Sequence, residues 1–288
     1  MSDRYRDVPI RRYGDGGWRA LTDQVVEERL LRVTVTGSVQ GEVELLSSPW
    51  GTEALVAGAL ARVWGVLPWQ WQFVTPPDRR ARPRSSGAGR DGASEEVVVN
   101  VNGEAGVARR RVAVAAGAGS ATDTVGAVAA GAGTGPDRGK ASRAAPRGVA
   151  FPVWSPREVI AVTDRLTSAS SVHRVTGGVH LAIYVADRCS VVCEDISRHS
   201  AIDRLVGTLL MRRTVPWPGI VALSCRVTAD LLDRATTMNA PLVASVSAPT
   251  FEAISTAEAA GTTLCGFVRE GRLNLYAGAG RVAGATRV

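Results

Sequence analysis

Three short strings hold most of the side chains in this chain that can do chemistry: Glu194–His199 (EDISRH), Ser247–Thr250 (SAPT) and Phe267–Arg272 (FVREGR). The first packs two carboxylates, an arginine and a histidine into six residues. Asp195, Arg198 and His199 there offer the donors and acceptors needed to hold a phosphate or the hydrogen-bonding edge of a guanine. A structural reading is equally open, in which Ser197 or His199 caps a helix and Arg198 pairs with Asp195. Asp203, one turn beyond His199, either orients the imidazole or pairs with the adjacent Arg204. In the second string Ser247 and Ala248 precede Pro249, a good first helical residue. Ser247 therefore reads as a cap, and the helix start as an anion site to which Thr250 adds a hydroxyl. The third string sets Arg269 and Arg272 in one turn, a spacing suited to phosphate recognition, with a solvated hairpin turn as the alternative. His180 follows Gly177 and Gly178, which permit a tight turn or a close approach of backbone to ligand. A satisfied structural histidine is the plainer reading of His180.

The elements that must position these strings are legible from hydrophobic periodicity. Ile202, Leu205, Val206, Leu209 and Leu210 follow helical spacing, which predicts a helix over about His199–Arg212 behind the first string. Apolar runs predict strands at Val179–Ala186, Cys189–Glu194, GIVALSC, PLVASV and TTLCGFV, with helices at Thr228–Met238 and Pro249–Ala260 between the last three. Ser155, Pro156 and Glu158 form the signature of a capped helix start. Strand–helix alternation with near-continuous apolar strands predicts a parallel or mixed sheet covered by helices, and its strand ends gather ligand-binding loops on one edge. Further upstream, Leu30–Leu46 reads as a hairpin broken at Gly37 and Gly41. Gly51–Trp64 reads as an amphipathic helix, and Glu95–Val101 and Arg110–Ala115 as strands. The expected organisation is an N-terminal α+β unit over 1–78, a basic insertion over 79–150 that is partly disordered, and an α/β/α core over 151–288.

Composition narrows the function classes. The net charge is +7, but 12 basic and 6 acidic residues fall between Arg79 and Ala150, so the rest of the chain is close to neutral. That tract is rich in Gly, Ala and Arg and poor in aromatics. It reads as a solvated linker without a stacking platform for nucleic acid. No apolar run is long enough to span a bilayer, and the N-terminus offers no signal-peptide core, so the expectation is a cytoplasmic protein. The four cysteines, Cys189, Cys193, Cys225 and Cys265, lie in apolar runs, as buried reduced thiols do. Cys189 and Cys193 would stand about 13 Å apart on one strand, too far for a close dithiol. Histidine and cysteine spacing gives no metal site.

Five strings in order resemble the FdhD/NarQ family of formate dehydrogenase accessory proteins. Thr176–His180 resembles that family's TGGxH, and Glu194–Asp203 (EDISRHSAID) resembles EDVGRHNALD, with Arg204 where lysine is usual. Arg226–Ala235 (RVTADLLDRA) resembles RxSxEMVxKA, Ser247–Thr250 matches SAPT, and Gly261–Tyr276 resembles GxTLxGFxRxxRxNxY. A weaker likeness, Ser48-Pro49 with Glu53–Gly58, is similar to TPxxxEELALG.

The resemblance implies a cytidine-deaminase-like α/β/α core and a role in moving sulfur from a cysteine desulfurase to the bis-molybdopterin guanine dinucleotide (molybdenum) cofactor of formate dehydrogenase. It implies that cofactor as bound cargo, with no directly held metal, and a homodimer as the expected assembly. It also implies cofactor contacts at His180, Asp195, Arg198, His199, Ser247, Thr250 and the run Phe267, Val268, Arg269, Glu270, Gly271, Arg272. The family's persulfide rides on a CGxCG-like cysteine loop. Here Ala116–Asp123 stands in its place, with Gly117, Ala118, Ser120 and Ala121 and no sulfur. Neither alanine nor serine can form a persulfide. The expectation is a cofactor-binding accessory protein that supports sulfuration without carrying sulfur. The alternatives are a sulfurtransferase using a non-family cysteine and a degenerate, non-binding paralogue.

Overall fold

A computed structural model describes residues 4–14, 17–75, 94–101, 152–187, 189–212, 218–236, 238 and 240–285. The chain begins with a feature the sequence did not announce: β1 (Tyr5–Gly14) and β2 (Gly17–Val26) form a two-stranded antiparallel ribbon. Its charged, mixed pattern carries little apolar period, because backbone pairing rather than a buried face defines it.

The hairpin expected at Leu30–Leu46 is present as β3 (Arg29–Gly37) and β4 (Gly41–Ser47). Leu31, Val33, Val35, Val43 and Leu45 alternate inward onto α1 (Thr52–Trp64), whose Leu55, Val56, Ala59 and Leu60 face them. After a short 3-10 turn come β5 (Trp71–Thr75) and β6 (Ser94–Val101), giving the order β4-β3-β6-β5. Although the sequence places it in the basic insertion, β6 is a central strand of this sheet. Its Val97, Val99 and Val101 are buried, and burying that face fixes the register against β3. The strand expected at 110–115 and the Gly/Ala-rich segment lie outside the described residues.

The second unit is a three-layer α/β/α sandwich. It runs α2 (Pro156–Ala169), α3 (Ser171–Thr176), β7 (His180–Ala186), β8 (Cys189–Asp195), α4 (Arg198–Met211), β9 (Ile220–Leu223), α5 (Ala229–Thr236), β10 (Leu242–Ser245), α6 (Phe251–Ala260), β11 (Thr263–Arg269) and β12 (Arg272–Ala277). The capping box is formed: Ser155 Oγ accepts from the Glu158 amide, and the Glu158 carboxylate accepts from the Ser155 amide. The six strands are ordered β12-β11-β10-β9-β7-β8, with β9, β10 and β11 parallel and the other neighbours antiparallel. Residues from α4, α5 and α6 pack on one face (Ile202, Leu205, Leu231, Ala253), and Val159, Val162 and Leu166 of α2 pack on the other.

The two units meet where α1 crosses α4. A Cβ on Gly207 would stand 1.8 Å from the Ala54 carbonyl oxygen, and one on Gly58 would stand 1.9 Å from that of Asp203. Glycine at both positions lets the helix backbones touch. Among the described residues, no helix is long and apolar enough to cross a membrane.

Candidate functional site

Strand directions bring the five family-like strings of the second unit to one edge. Because β7 runs antiparallel to both β8 and β9, the carboxyl ends of β8, β9, β10 and β11 and the start of β7 share it. EDISRH leaves β8, Ser224–Thr228 leaves β9, SAPT leaves β10, FVREGR turns β11 into β12, and TGGVH enters β7. Helices α4, α5 and α6 all start here, so their amide ends add positive potential to the edge.

The loops after β9, β10 and β11 are stitched together by backbone bonds. Val227 donates its amide to the Ala248 carbonyl (3.1 Å), Thr250 to Val227 (2.9 Å) and Phe267 to Ser247 (3.1 Å). This bonding overturns the helix start expected at Pro249. Pro249 bridges to Val227 in extended conformation, and Thr250 is the cap, its Oγ1 accepting from the Ala253 amide (3.2 Å). Ser247 instead donates its amide to Ser245 Oγ and lends its carbonyl to Phe267.

FVREGR is an irregular turn. Phe267 has φ 50° and Glu270 φ 54°, left-handed values that bulky side chains rarely adopt, and Gly271 follows at φ 72°. A break in strand register between Gly266 and Arg269 accompanies them. Gly266 packs so closely on SAPT that a Cβ there would meet Pro249 Cδ at 2.8 Å. Val268 is wholly buried on the α2 side of the sheet, so its side chain belongs to the core and not to a ligand. Phe267 is half-buried and Arg269 exposed, with the Arg269 guanidinium 5.6 Å from the Phe267 ring centre. Arg272 is largely exposed and pairs with Glu270 at 2.9 Å.

EDISRH behaves differently. Asp195 is fully buried and spoken for: Arg204 Nε donates to it at 2.5 Å, and the amides of Ser48 and Ser197 donate at 2.9 and 3.2 Å. A carboxylate with those partners and no exposure holds the fold together, so the expected guanine contact at Asp195 is corrected to a structural anchor. Its partner is Arg204, not Arg198. Arg204 Nη2 also donates to the Ser48 carbonyl, which ties the end of β4 to the start of α4. A Cβ at Gly51, itself at φ 61°, would stand 2.6 Å from Arg204 Nη1. Nearby, Arg29 is paired with Glu95, and burial, followed by the charge of Arg204, brings it down to about 10.

His199 is half-buried, with Nε2 3.2 Å from Asp230 Oδ2 at the start of α5. Asp203 does not orient it, and Asp203 does not pair with Arg204. Asp203 is buried and takes Arg234 (3.0 Å) and Arg62 (3.4 Å). Arg234 also pairs with Asp230, so one ionic chain runs from His199 through α5 and α4 to α1. Burial works against the Asp230 charge, but the His199 hydrogen bond and the Arg234 guanidinium outweigh it. They hold that carboxyl well below the usual carboxylate range. Asp230 and Arg234 carried no assigned role at the sequence level. Their i, i+4 spacing inside the RVTADLLDRA string was the available signal. His180 sits beside Asp195 in the β7–β8 register, and Arg198 is half-buried at the start of α4.

Arg226, Asp230, Arg269, Glu270 and Arg272 are exposed along the edge, with Arg198, His199 and Thr250 partly covered between them. The edge is broad. Asp195 on β8 and the start of FVREGR on β11 are four strand spacings apart, about 19 Å. Of the cysteines, Cys225 lies on this edge but is buried, and burial pushes its thiol up to about 11. Burial pushes Cys265 up to about 12 and also raises Cys193, while Cys189 opens β8 at the opposite edge. Among the described residues no cluster of His, Cys, Asp and Glu has the geometry to hold a metal ion.

The family model described as FdhD/NarQ matches residues 93–283. A sulfur carrier protein FdhD from Mycolicibacterium paratuberculosis is 35% identical over 207 residues, covering 68% of this chain and 72% of its own length. One from Sulfolobus acidocaldarius is 36% identical over 121 residues, 41% of this chain. One from Streptomyces coelicolor is 37% identical over 156 residues, half of this chain. The chain spans about half the length of several such relatives, 48% for the Sulfolobus protein and 55% for the Streptomyces one. A crystal structure of a protein assigned as a formate dehydrogenase accessory protein from Desulfotalea psychrophila superposes with a TM-score of 0.67. It covers 96% of this chain and 99% of its own at 16% identity, a likeness of fold. Family match and relatives together establish that this chain belongs to the FdhD/NarQ family.

Proposed function

We propose that this chain binds a guanylyl-molybdopterin cofactor at the carboxyl edge of its six-stranded sheet and supports its sulfuration for a formate dehydrogenase, without carrying the sulfur itself. The observation that carries the reading is the convergence of the family-like strings on one edge, where Arg226, Arg269 and Arg272 are exposed and Glu270 pairs with Arg272. A dinucleotide presents a pyrophosphate and a guanine, and arginines beside helix amide ends are suited to the former. In this reading Arg269 and Arg272 hold phosphate oxygens and the Thr250-capped α6 adds amides. His199, braced by Asp230, offers its other ring nitrogen to the ligand. The names of the relatives, sulfur carriers in bacteria and an archaeon, support the pathway.

Loss of the sulfur-carrying step rests on the chain's own thiols. Ala116–Asp123 holds no cysteine, and Cys193, Cys225 and Cys265 are raised by burial, which disfavours the nucleophilic thiolate.

Two measurements on the full chain test the reading. GDP at a hundredfold excess over its dissociation constant should stabilise the fold by about 2.7 kcal/mol in thermal unfolding. No shift at millimolar GDP would leave a degenerate, non-binding paralogue. After incubation with a cysteine desulfurase and cysteine, intact mass should show no added sulfur. A stoichiometric adduct on Cys225, the cysteine on the candidate edge, would establish an active sulfurtransferase instead.

A further inference from the structure

We infer that Phe251 stacks on the base of the nucleotide held at the carboxyl edge of the six-stranded sheet. This rests on the ligand reading of that edge and adds the residue that receives the guanine ring. Phe251 opens α6 directly after its Thr250 cap, and at 77% exposure it is the most exposed large apolar side chain among the described residues. It belongs to none of the hydrophobic clusters of the core, and helix propensity does not favour an aromatic ring there. Single exposed apolar residues are ordinary on a protein surface, so location carries the argument. Helix α6 buries Ala253 and Ala257 against the sheet. Phe251 lies about 200° round the helix from Ala253, on the side away from the sheet. Side chains on a helix tilt toward its N-terminus, so the ring overhangs the start of α6 and the loops beside it.

Those loops supply the other parts of a nucleotide site. The starts of α5 and α6 are built alike: Thr228 Oγ1 accepts from the Leu231 amide (3.4 Å), as Thr250 Oγ1 accepts from the Ala253 amide (3.2 Å). The bridge between Val227 and Pro249, with the bond from the Thr250 amide to the Val227 carbonyl, holds the two starts side by side. Phe251 on α6 corresponds to Ala229 on α5. Alanine suffices to open the one helix, so the ring is no requirement of the junction. On one side of Phe251 the exposed Arg226 follows β9, and on the other FVREGR follows β11. β10, which leads to Phe251, lies between those strands, and β9 and β11 are two strand spacings apart, about 10 Å. Phosphates on Arg269 and Arg272 therefore leave the base of the same nucleotide within reach of Phe251. Stacking uses the face of the base and leaves its edge free for hydrogen bonds.

Isothermal titration of the full chain with GDP and with inorganic pyrophosphate reads the result. Phe251→Ala should weaken GDP binding about tenfold, the size of one base–aromatic stack, and leave pyrophosphate binding unchanged. Phe251→Leu keeps apolar area without a ring and should behave as the alanine variant does. Phe251→Trp should bind GDP at least as tightly as the unmodified chain. All three variants should unfold at the temperature of the unmodified chain, because an exposed side chain adds little stability. GDP affinity within about twofold of the unmodified chain in Phe251→Ala or Phe251→Leu overturns the assignment and leaves the edge reading standing. Equal losses of GDP and pyrophosphate in Phe251→Ala overturn it too, since pyrophosphate has no ring to stack. An unmodified chain that binds no GDP ends the edge reading and this assignment together.

Discussion

Two loops that leave the same sheet edge, EDISRH after β8 and FVREGR after β11, put their charges to opposite uses. In the first, Asp195 has no exposed surface and is bound by Arg204, Ser48 and Ser197, so the loop locks the N-terminal unit onto the core. In the second, Arg269, Glu270 and Arg272 face solvent on a turn with two non-glycine residues in left-handed conformation. One loop turns its charge inward and is stabilised by neighbours, whereas the other carries local strain and presents its charge outward. Backbone strain of this kind persists where surrounding structure enforces it, and it gathers at ligand-binding positions. Charged residues close together on an edge therefore do not share a role, and burial of each carboxylate or guanidinium separates the two.

The sharpest break of this comparison is Asp195→Ala. It strands the Arg204 guanidinium in a site where both are buried, and removing one partner of such a pair costs about 3–5 kcal/mol. Urea unfolding should show a loss of that size, and a loss under about 1 kcal/mol would mean the anchor reading of EDISRH is wrong. Arg272→Ala is the counterpart on the exposed loop. It should leave stability within about 0.5 kcal/mol while weakening GDP binding by about 1.5–3 kcal/mol, typical of a charge-assisted hydrogen bond. An Arg147→Ala control should change neither. Unchanged affinity in Arg272→Ala would remove FVREGR from the site.

The smallest effect sharpens the link between the loops, the His199–Asp230–Arg234 chain. The folded-state value of Asp230 lies below its unfolded value near 4. Its contribution is therefore present above about pH 4 and lost as pH falls through the lower folded value. Asp230→Asn should be less stable than the unmodified chain at neutral pH, with the gap closing under acid. A gap that stays constant from neutral to acid pH would show that Asp230 adds no ionic stabilisation.

Most secondary structure was legible because apolar spacing reports burial directly. The α4 residues Ile202, Leu205 and Leu209 and the β3 residues Leu31, Val33 and Val35 mark their faces in the sequence alone. The strings of the candidate edge were legible too, since strand–helix alternation fixes which ends of parallel strands gather together. The ribbon β1–β2 was missed because its identity rests on backbone pairing, which leaves little mark on composition. Pro249 misled because proline suits both a first helical turn and an extended residue, and only its bridge to Val227 decides between them.

By itself, the sequence determined the α/β class, the family, the absence of cysteine from Ala116–Asp123 and the strand ends that carry chemistry. Each of these follows from residue identity and order along the chain. Tertiary structure alone decided the partners of the charges: Asp195 with Arg204 and Ser48, Asp203 with Arg234 and Arg62, His199 with Asp230. Ion pairs form through space at about 3 Å between elements as distant in sequence as Arg62 and Asp203. A charge in the sequence states what a residue can bind, and only packing states what it is buried against.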